Sequence, residues 1–367
     1  MKICWIGVDL FDTGGISTYS RYVVRALNEL DKKEYTLSSI INLSFHKYRI
    51  NFDLETYSRI ITFDYRTLKN RLIALFKSIQ KIYKSELVIL NHSSLFIFAI
   101  VAKILRKKII VFGYNIDILF LKGIRKKVIF NFADQIIVDC TYTKKTLREK
   151  FNIESKLLFD PIEKFVSKKK KKVFSEYTNE KRMKLVTVAV LRMSQNKGHR
   201  QVFKAIKELR DLHIKYLIVG DGPDYNNLRT IVDKYKINDS VEFKGYVTEK
   251  EKYEIMEESD ISILISKRCR NGEGLPLGLI EPGPYGNAMI GGNEDGSTDA
   301  IDKDKPNGFL INPQSIKDLK RIIRKYYFDN ELLEEHKQNS IDYCNKNFIY
   351  EVFKDKFKKY IDDLIKK

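Results

Sequence analysis

Cysteine is scarce: Cys4, Cys140, Cys269 and Cys344 stand far apart, with no CxxC pair and no Cys/His cluster. Neither a zinc site nor a disulfide framework is expected, and the usage fits a reducing cytoplasm. No apolar run reaches the roughly 18 residues of a membrane span; the nearest is broken by Lys103 and by Arg106 to Lys108. The opening MKICWIGVDLF lacks the longer apolar region and small-residue cleavage site of a signal peptide and reads as a first β-strand. A GxGxxG fingerprint is also missing, which counts against an NAD-dependent dehydrogenase.

What is abundant is positive charge. The chain has a formal net charge of +19, and residues 1–183 hold 35 Lys and Arg against 18 Asp and Glu. A basic first half beside a nearly neutral second suggests an anionic partner for the former: acidic lipid, nucleic acid or a phosphorylated substrate. With 43% hydrophobic residues in 367, two domains of ordinary size can each bury a core.

Strand and helix patterns alternate along the chain, which predicts parallel sheets. Lys2 to Val8 reads as a strand, Gly14 and Gly15 as a tight turn, and Ser17 or Thr18 as the cap of a helix carrying Tyr22, Val23, Ala26, Leu27 and Leu30. Further strands are expected at Glu86–Leu90, Lys108–Phe112, Gln135–Val138 and Lys156–Phe159. Tyr65 to Lys84 reads as a helix whose stripe of Leu68, Leu72, Leu75, Phe76, Ile79 and Ile82 faces the core, its basic side facing water; the alternative is a helix lying on an anionic membrane. Five lysines, Lys168 to Lys172, read as an exposed linker. A second series has strands at Leu185–Leu191, Lys215–Val219, Val241–Lys244, Ile261–Ile265 and Ala288–Ile290, and Tyr350 to Ile365 reads as an amphipathic helix. The fold class is α/β: two Rossmann-like domains facing a central cleft, spanning 1–165 and 184–349, with a linker at 166–183.

Ligands of such sheets collect at the strand C-terminal ends. There the sequence places Asn91 and His92 in the first half, and Arg192, Lys197, GDGP (Gly220 to Pro223) and Gly245 to Val247 in the second. Next comes EGLPLGLIE, with Glu273 and Glu281 eight positions apart. If Glu273 lies in a loop and a helix starts near Leu277, the stretch offers two carboxylates and backbone N–H groups to one ligand. Two fixed cations, glycine turns and a helix start suit a diphosphate.

This set, in this order, resembles the retaining glycosyltransferases of family 4, which have the GT-B fold. The resemblance is carried by Glu273 and Glu281, by Arg192 and Lys197 before Gly198, by Gly14 and Gly15, and by GDGP. It is good over about Leu185 to Pro313 and thinner over Lys2–Leu30 and Val88–Pro161. It implies that Arg192 and Lys197 hold the diphosphate of a UDP- or GDP-linked sugar, that Glu281 holds the ribose, and that Glu273, beside Gly274, contacts the transferred sugar. Backbone amides near Leu277 and Gly15 would touch phosphate or sugar, Gly220 would lie in the donor site, Val247 would line the base pocket, and His92 would stand beside the reaction centre. It further implies no metal or other cofactor, a return of the helix at about 350–367 onto the first domain, and a glycan or lipid-linked acceptor in surface polysaccharide synthesis at the inner face of the cell membrane. The chain departs from the pattern at Leu275 and Pro276, at Pro282, Gly283 and Pro284 where a helix usually continues, at Gly113 for a histidine and at Asp160 for an asparagine. Asp302 and Asp304 form a DxD string in a polar loop, where no metal role is expected. The alternative to an enzyme is a membrane-bound or nucleic-acid-binding scaffold; the basic runs lack the aromatic interleaving that binds single strands, so no nucleic-acid partner is expected.

Overall fold

The structure, a computed structural model, describes residues 1–12, 14–30, 34–45, 60–163, 183–192, 197–266 and 273–366. The lysine run at Lys168–Lys172 and Cys269 lie outside these. Contacts divide the chain into two units, Met1–Pro161 with Tyr350–Lys367, and Ile162–Ile349.

The first unit begins with β1 (Lys2–Val8), α1 (Gly15–Glu29), β2 (Thr36–Ser44), β3 (Ile60–Asp64), α2 (Leu68–Tyr83) and β4 (Leu87–Leu90). It continues through α3 (Phe96–Ile104), β5 (Lys108–Gly113), α4 (Asn115–Leu119), α5 (Gly123–Phe132), β6 (Gln135–Val138), α6 (Thr141–Phe151) and β7 (Lys156–Leu157). The second unit holds β8 (Met183–Val188), α7 (His199–Glu208), β9 (Ile214–Val219), α8 (Tyr225–Tyr235), β10 (Val241–Gly245), α9 (Glu249–Glu258) and β11 (Ile261–Leu264). After these come α10 (Leu277–Ile280), β12 (Ala288–Gly292), β13 (Gly308–Ile311), α11 (Ile316–Phe328) and α12 (Asn330–Asn347). The last helix, α13 (Tyr350–Ile365), belongs to the first unit.

Each unit is built on one parallel sheet, ordered β3-β2-β1-β4-β5-β6-β7 and β10-β9-β8-β11-β12-β13. Both orders reverse direction once, beside β1 and β8, and that switch opens a crevice at the strand C-termini. Alternation along β1 sends Ile3 and Trp5 into a core with α1 and α13, and Cys4, Ile6 and Val8 into a core with α2, α3 and α5. Phe353, Phe357 and Ile361 of α13 complete the former. In the second unit Leu185, Tyr216 and Ile263 pack with Val202, Phe203 and Ile323.

Three strands, β2, β3 and β13, go beyond those expected from sequence. The strand expected over Leu185–Leu191 runs instead over Met183–Val188, and the Ala189 and Leu191 N–H groups beyond it bond to the Val219 and Asp221 carbonyls at and past the end of β9. Neither Ser17 nor Thr18 caps α1: Gly14 holds the N-cap position at φ 129°, and the Ser17 hydroxyl donates to the Asp9 carbonyl inside the helix start. The stripe expected to face the core from α2 also needs correction. Ala74, Ser78 and Ile82 are its buried residues, while Leu68, Leu72 and Phe76 are 73%, 59% and 69% exposed. No described helix is long and apolar enough to cross a membrane.

Candidate active site

At the first switch point, Gly14 and Gly15 lie exposed at the start of α1. The Asn91 side chain ties β4 to β1 and α1, accepting the Val8 N–H at 3.0 Å and donating to Ser20 Oγ at 2.5 Å. His92 follows, its Nδ1 accepting the Ser94 N–H at 3.1 Å. Because that donor is a backbone amide, Nδ1 carries the lone pair, and neutral His92 holds its proton on Nε2, 3.5 Å from the Asp117 carboxylate. Asp117 also accepts the N–H groups of Ser93 and Tyr114, at 3.0 and 2.6 Å. Burial raises its carboxyl above the usual range, against the opposing pull of His92. Asp117 was not singled out from sequence; its position at the end of GYNID, after a strand, was the available signal.

At the second switch point the loops after β8 and β11 meet. Lys197 Nζ lies 2.6 Å from Glu273 Oε1, and Ser266 Oγ donates to the same oxygen at 2.7 Å. The Glu273 backbone is fixed as well: its N–H donates to buried Asp295 at 2.8 Å and its carbonyl accepts the Gly296 N–H at 3.1 Å. Two residues expected to serve different parts of one ligand therefore form a partly buried ion pair across 76 positions of sequence. Arg192 is exposed, and with Lys197, His199, Arg200 and Asp224 it lines a cavity of about 80 Å³.

His199 is a residue that sequence reasoning missed. Thr187 Oγ1 donates to the Ile263 carbonyl at 2.5 Å, so the Tyr216 hydroxyl must donate to Thr187 and accept from His199 Nδ1, each contact being 2.8 Å. That leaves Nε2 a buried acceptor without a partner among the described residues. Burial, then the Lys197 charge, pushes the imidazole pKa down to about 4, so His199 is neutral near pH 7.

Glu281 sits elsewhere on the same stretch. It ends α10 and lies 3.5 Å from Lys252 of α9, which also pairs with Glu249 at 2.9 Å. Burial raises the Glu281 carboxyl, with Lys252 opposing. Neither Lys252 nor the stacked Tyr253 and Tyr285 beside it was anticipated. The helix between the two glutamates has only four residues, with Pro276 at its N-cap; Leu277 and Gly278 supply its first N–H groups. Gly278 is required by packing, since an added Cβ would overlap the Val188 carbonyl oxygen. Gly274 is partly exposed between Glu273 and that helix.

In the GDGP turn, Gly220 has φ 128°, and its N–H donates to the Gly245 carbonyl at 2.9 Å. Any Cβ there would strike the Ala189 carbonyl oxygen. Val247, half-buried, packs on Val186, Leu217 and Val219, while Tyr246 beside it is 85% exposed. Asp302 and Asp304 serve their own loop: Asp302 Oδ1 accepts the Asp304 N–H at 2.9 Å. Among the described residues no three His, Cys, Asp or Glu are grouped to hold a metal ion.

Residues 169–343 match the family model for Glycosyl transferases group 1. The match falls within the second unit. An uncharacterized glycosyltransferase of Methanocaldococcus jannaschii is 26% identical over 344 residues, covering 90% of this chain and 81% of that protein. WcaL of Escherichia coli, named as a colanic acid biosynthesis glycosyltransferase, is 28% identical over 131 residues, 35% of this chain and 32% of its own. Alr3699/HepE of Anabaena, solved in complex with UDP, superposes with a TM-score of 0.78 at 15% identity, over 99% of this chain and all of that one. The chain thus has the GT-B fold, and its residues 169–343 are similar to the glycosyl transferases of group 1.

Proposed function

We propose that the chain transfers a sugar from a UDP- or GDP-linked donor to a hydroxyl of a glycan or lipid-linked acceptor, with retention and without a metal, in surface polysaccharide synthesis. The observation that carries this reading is the pairing of Lys197 with Glu273 at the switch point of the second unit, with Arg192 on the adjoining loop. In the reaction the bond from the anomeric carbon to the β-phosphate oxygen breaks, a bond to the acceptor oxygen forms, and the hydroxyl proton passes to the departing diphosphate. Lys197 and Arg192 stabilise the charge that grows on that leaving group. Glu273, held by Ser266 and the Asp295 contact, meets the sugar hydroxyls, and Glu281 meets the ribose. His92, the Gly14–Gly15 start of α1 and the amides near Leu277 contact sugar or phosphate, Gly220 supports the donor loop, and Val247 faces the base. The structural neighbour HepE, solved with UDP and with UDP-glucose, supports a nucleotide-sugar donor.

The test is a donor panel of UDP-, GDP- and ADP-sugars, read by thermal shift and by hydrolysis in EDTA. UDP- or GDP-sugars should raise the melting temperature, and Lys197→Ala should lower kcat/KM for hydrolysis by about a hundredfold or more. Glu281→Ala should weaken donor binding. The reading falls if no donor binds, or if both variants match the wild type; EDTA-sensitive turnover would remove its metal-independent part, and an inverted anomer its retaining part.

We also propose that the first unit rests on the inner face of the membrane. The exposed Leu68, Leu72 and Phe76 of α2 lie among Lys69, Arg71 and Lys77, in a helix with no acidic residue. An apolar face ringed by cations complements anionic lipid.

A further inference from the structure

The first unit holds a second cavity, of about 360 Å³, beside His92. That lies within the size range of small-molecule pockets. We propose that it binds the phosphate ester group of an amphiphilic acceptor, whose apolar chain lies along Phe120 and Ile124. The proposal rests on the glycosyltransferase reading above and names the class of its acceptor.

Three observations converge. The first is charge: Lys122 and Arg125 both line the cavity, and neither forms an ion pair among the described residues. The Arg125 guanidinium is steadied 5.5 Å above the Phe96 ring rather than by a carboxylate. Lys122 occupies the N-cap position of the ten-residue helix α5, where no side chain caps the first N–H groups. A phosphate entering here would meet two cations and a positive helix end together.

The second concerns the one acid on the cavity wall. Asp117 is 8% exposed and its two oxygens accept the Ser93 and Tyr114 N–H groups, which turns the carboxylate toward its own loop and weakens its repulsion of an anion. The third is apolar surface: Phe120 is 54% and Ile124 66% exposed, on either side of Lys122 in sequence. A neutral glycan would draw little from either the cations or these side chains, whereas an alkyl phosphate uses both.

The full-length protein is titrated calorimetrically with decyl phosphate below its micelle concentration, with uncharged decyl glucoside, with inorganic phosphate and with UDP. Decyl phosphate should bind at least tenfold more tightly than decyl glucoside or inorganic phosphate. The double variant Lys122→Glu/Arg125→Glu should lose at least tenfold in decyl phosphate affinity while UDP affinity stays within twofold. Phe120→Ser should weaken decyl phosphate and leave inorganic phosphate unchanged. If the charge-reversed protein melts early, Lys122→Gln/Arg125→Gln reads the same loss. Equal binding of the glucoside, or unchanged decyl phosphate binding by the double variant, overturns the proposal; inorganic phosphate as tight as the ester overturns its lipid part. Failure of UDP alone in the wild type strikes the donor reading and leaves the phosphate result standing.

Discussion

A buried histidine beside the Lys197 cation carries a measurable consequence. Unfolded His199 titrates near 6.5 and folded His199 near 4, a depressed value. Its contribution to stability is therefore complete above about pH 6.5 and is lost as pH falls toward 4, amounting to about 3 kcal/mol at most. Denaturant titrations at pH 7.5 and 4.5 should show His199→Gln losing less stability on acidification than the wild type; parallel losses would show that His199 contributes no proton linkage. The motif residues themselves were legible as Arg192, Lys197, Glu273 and Glu281. Their partners were not, because Ser266, Lys252 and Asp295 approach them only through the folding of separate loops.

Among the elements, the shortest is the most constrained. Pro282 and Pro284 lack N–H donors, so sequence alone limits how far α10 can run, and it stops after four residues. What anchors it is close contact with β8, and Gly278→Ala would force the backbones apart. The expected cost is about 2 kcal/mol or more, seen as a lower melting temperature with donor affinity also reduced; an unchanged melting temperature would mean that the helix can retreat freely. The α2 stripe teaches the opposite lesson. Periodicity says that Leu68, Leu72 and Phe76 share a face, but not whether anything covers it.

For the whole molecule, the basic first half and the uncovered face of α2 predict salt-sensitive attachment to anionic vesicles. Co-sedimentation with phosphatidylserine vesicles should fall several-fold between about 0.05 and 0.3 M salt. Leu72→Ser/Phe76→Ser and Lys69→Glu/Lys77→Glu should each reduce it without lowering the melting temperature, since all four residues are exposed. Binding that ignores these substitutions would place the membrane contact elsewhere.

The sequence by itself determined two parallel α/β sheets, their strand-end loops and the amphipathic helix at Tyr350–Ile365, because alternation, helical spacing and glycine or proline turns act over a few residues. Only the tertiary structure decided that β2 and β3 extend the first sheet, that Lys197 closes on Glu273 and Lys252 on Glu281, and that the face of α2 stays open to solvent. Those outcomes depend on which surfaces remain uncovered, and on charges brought together from distant positions, once the cores have been buried.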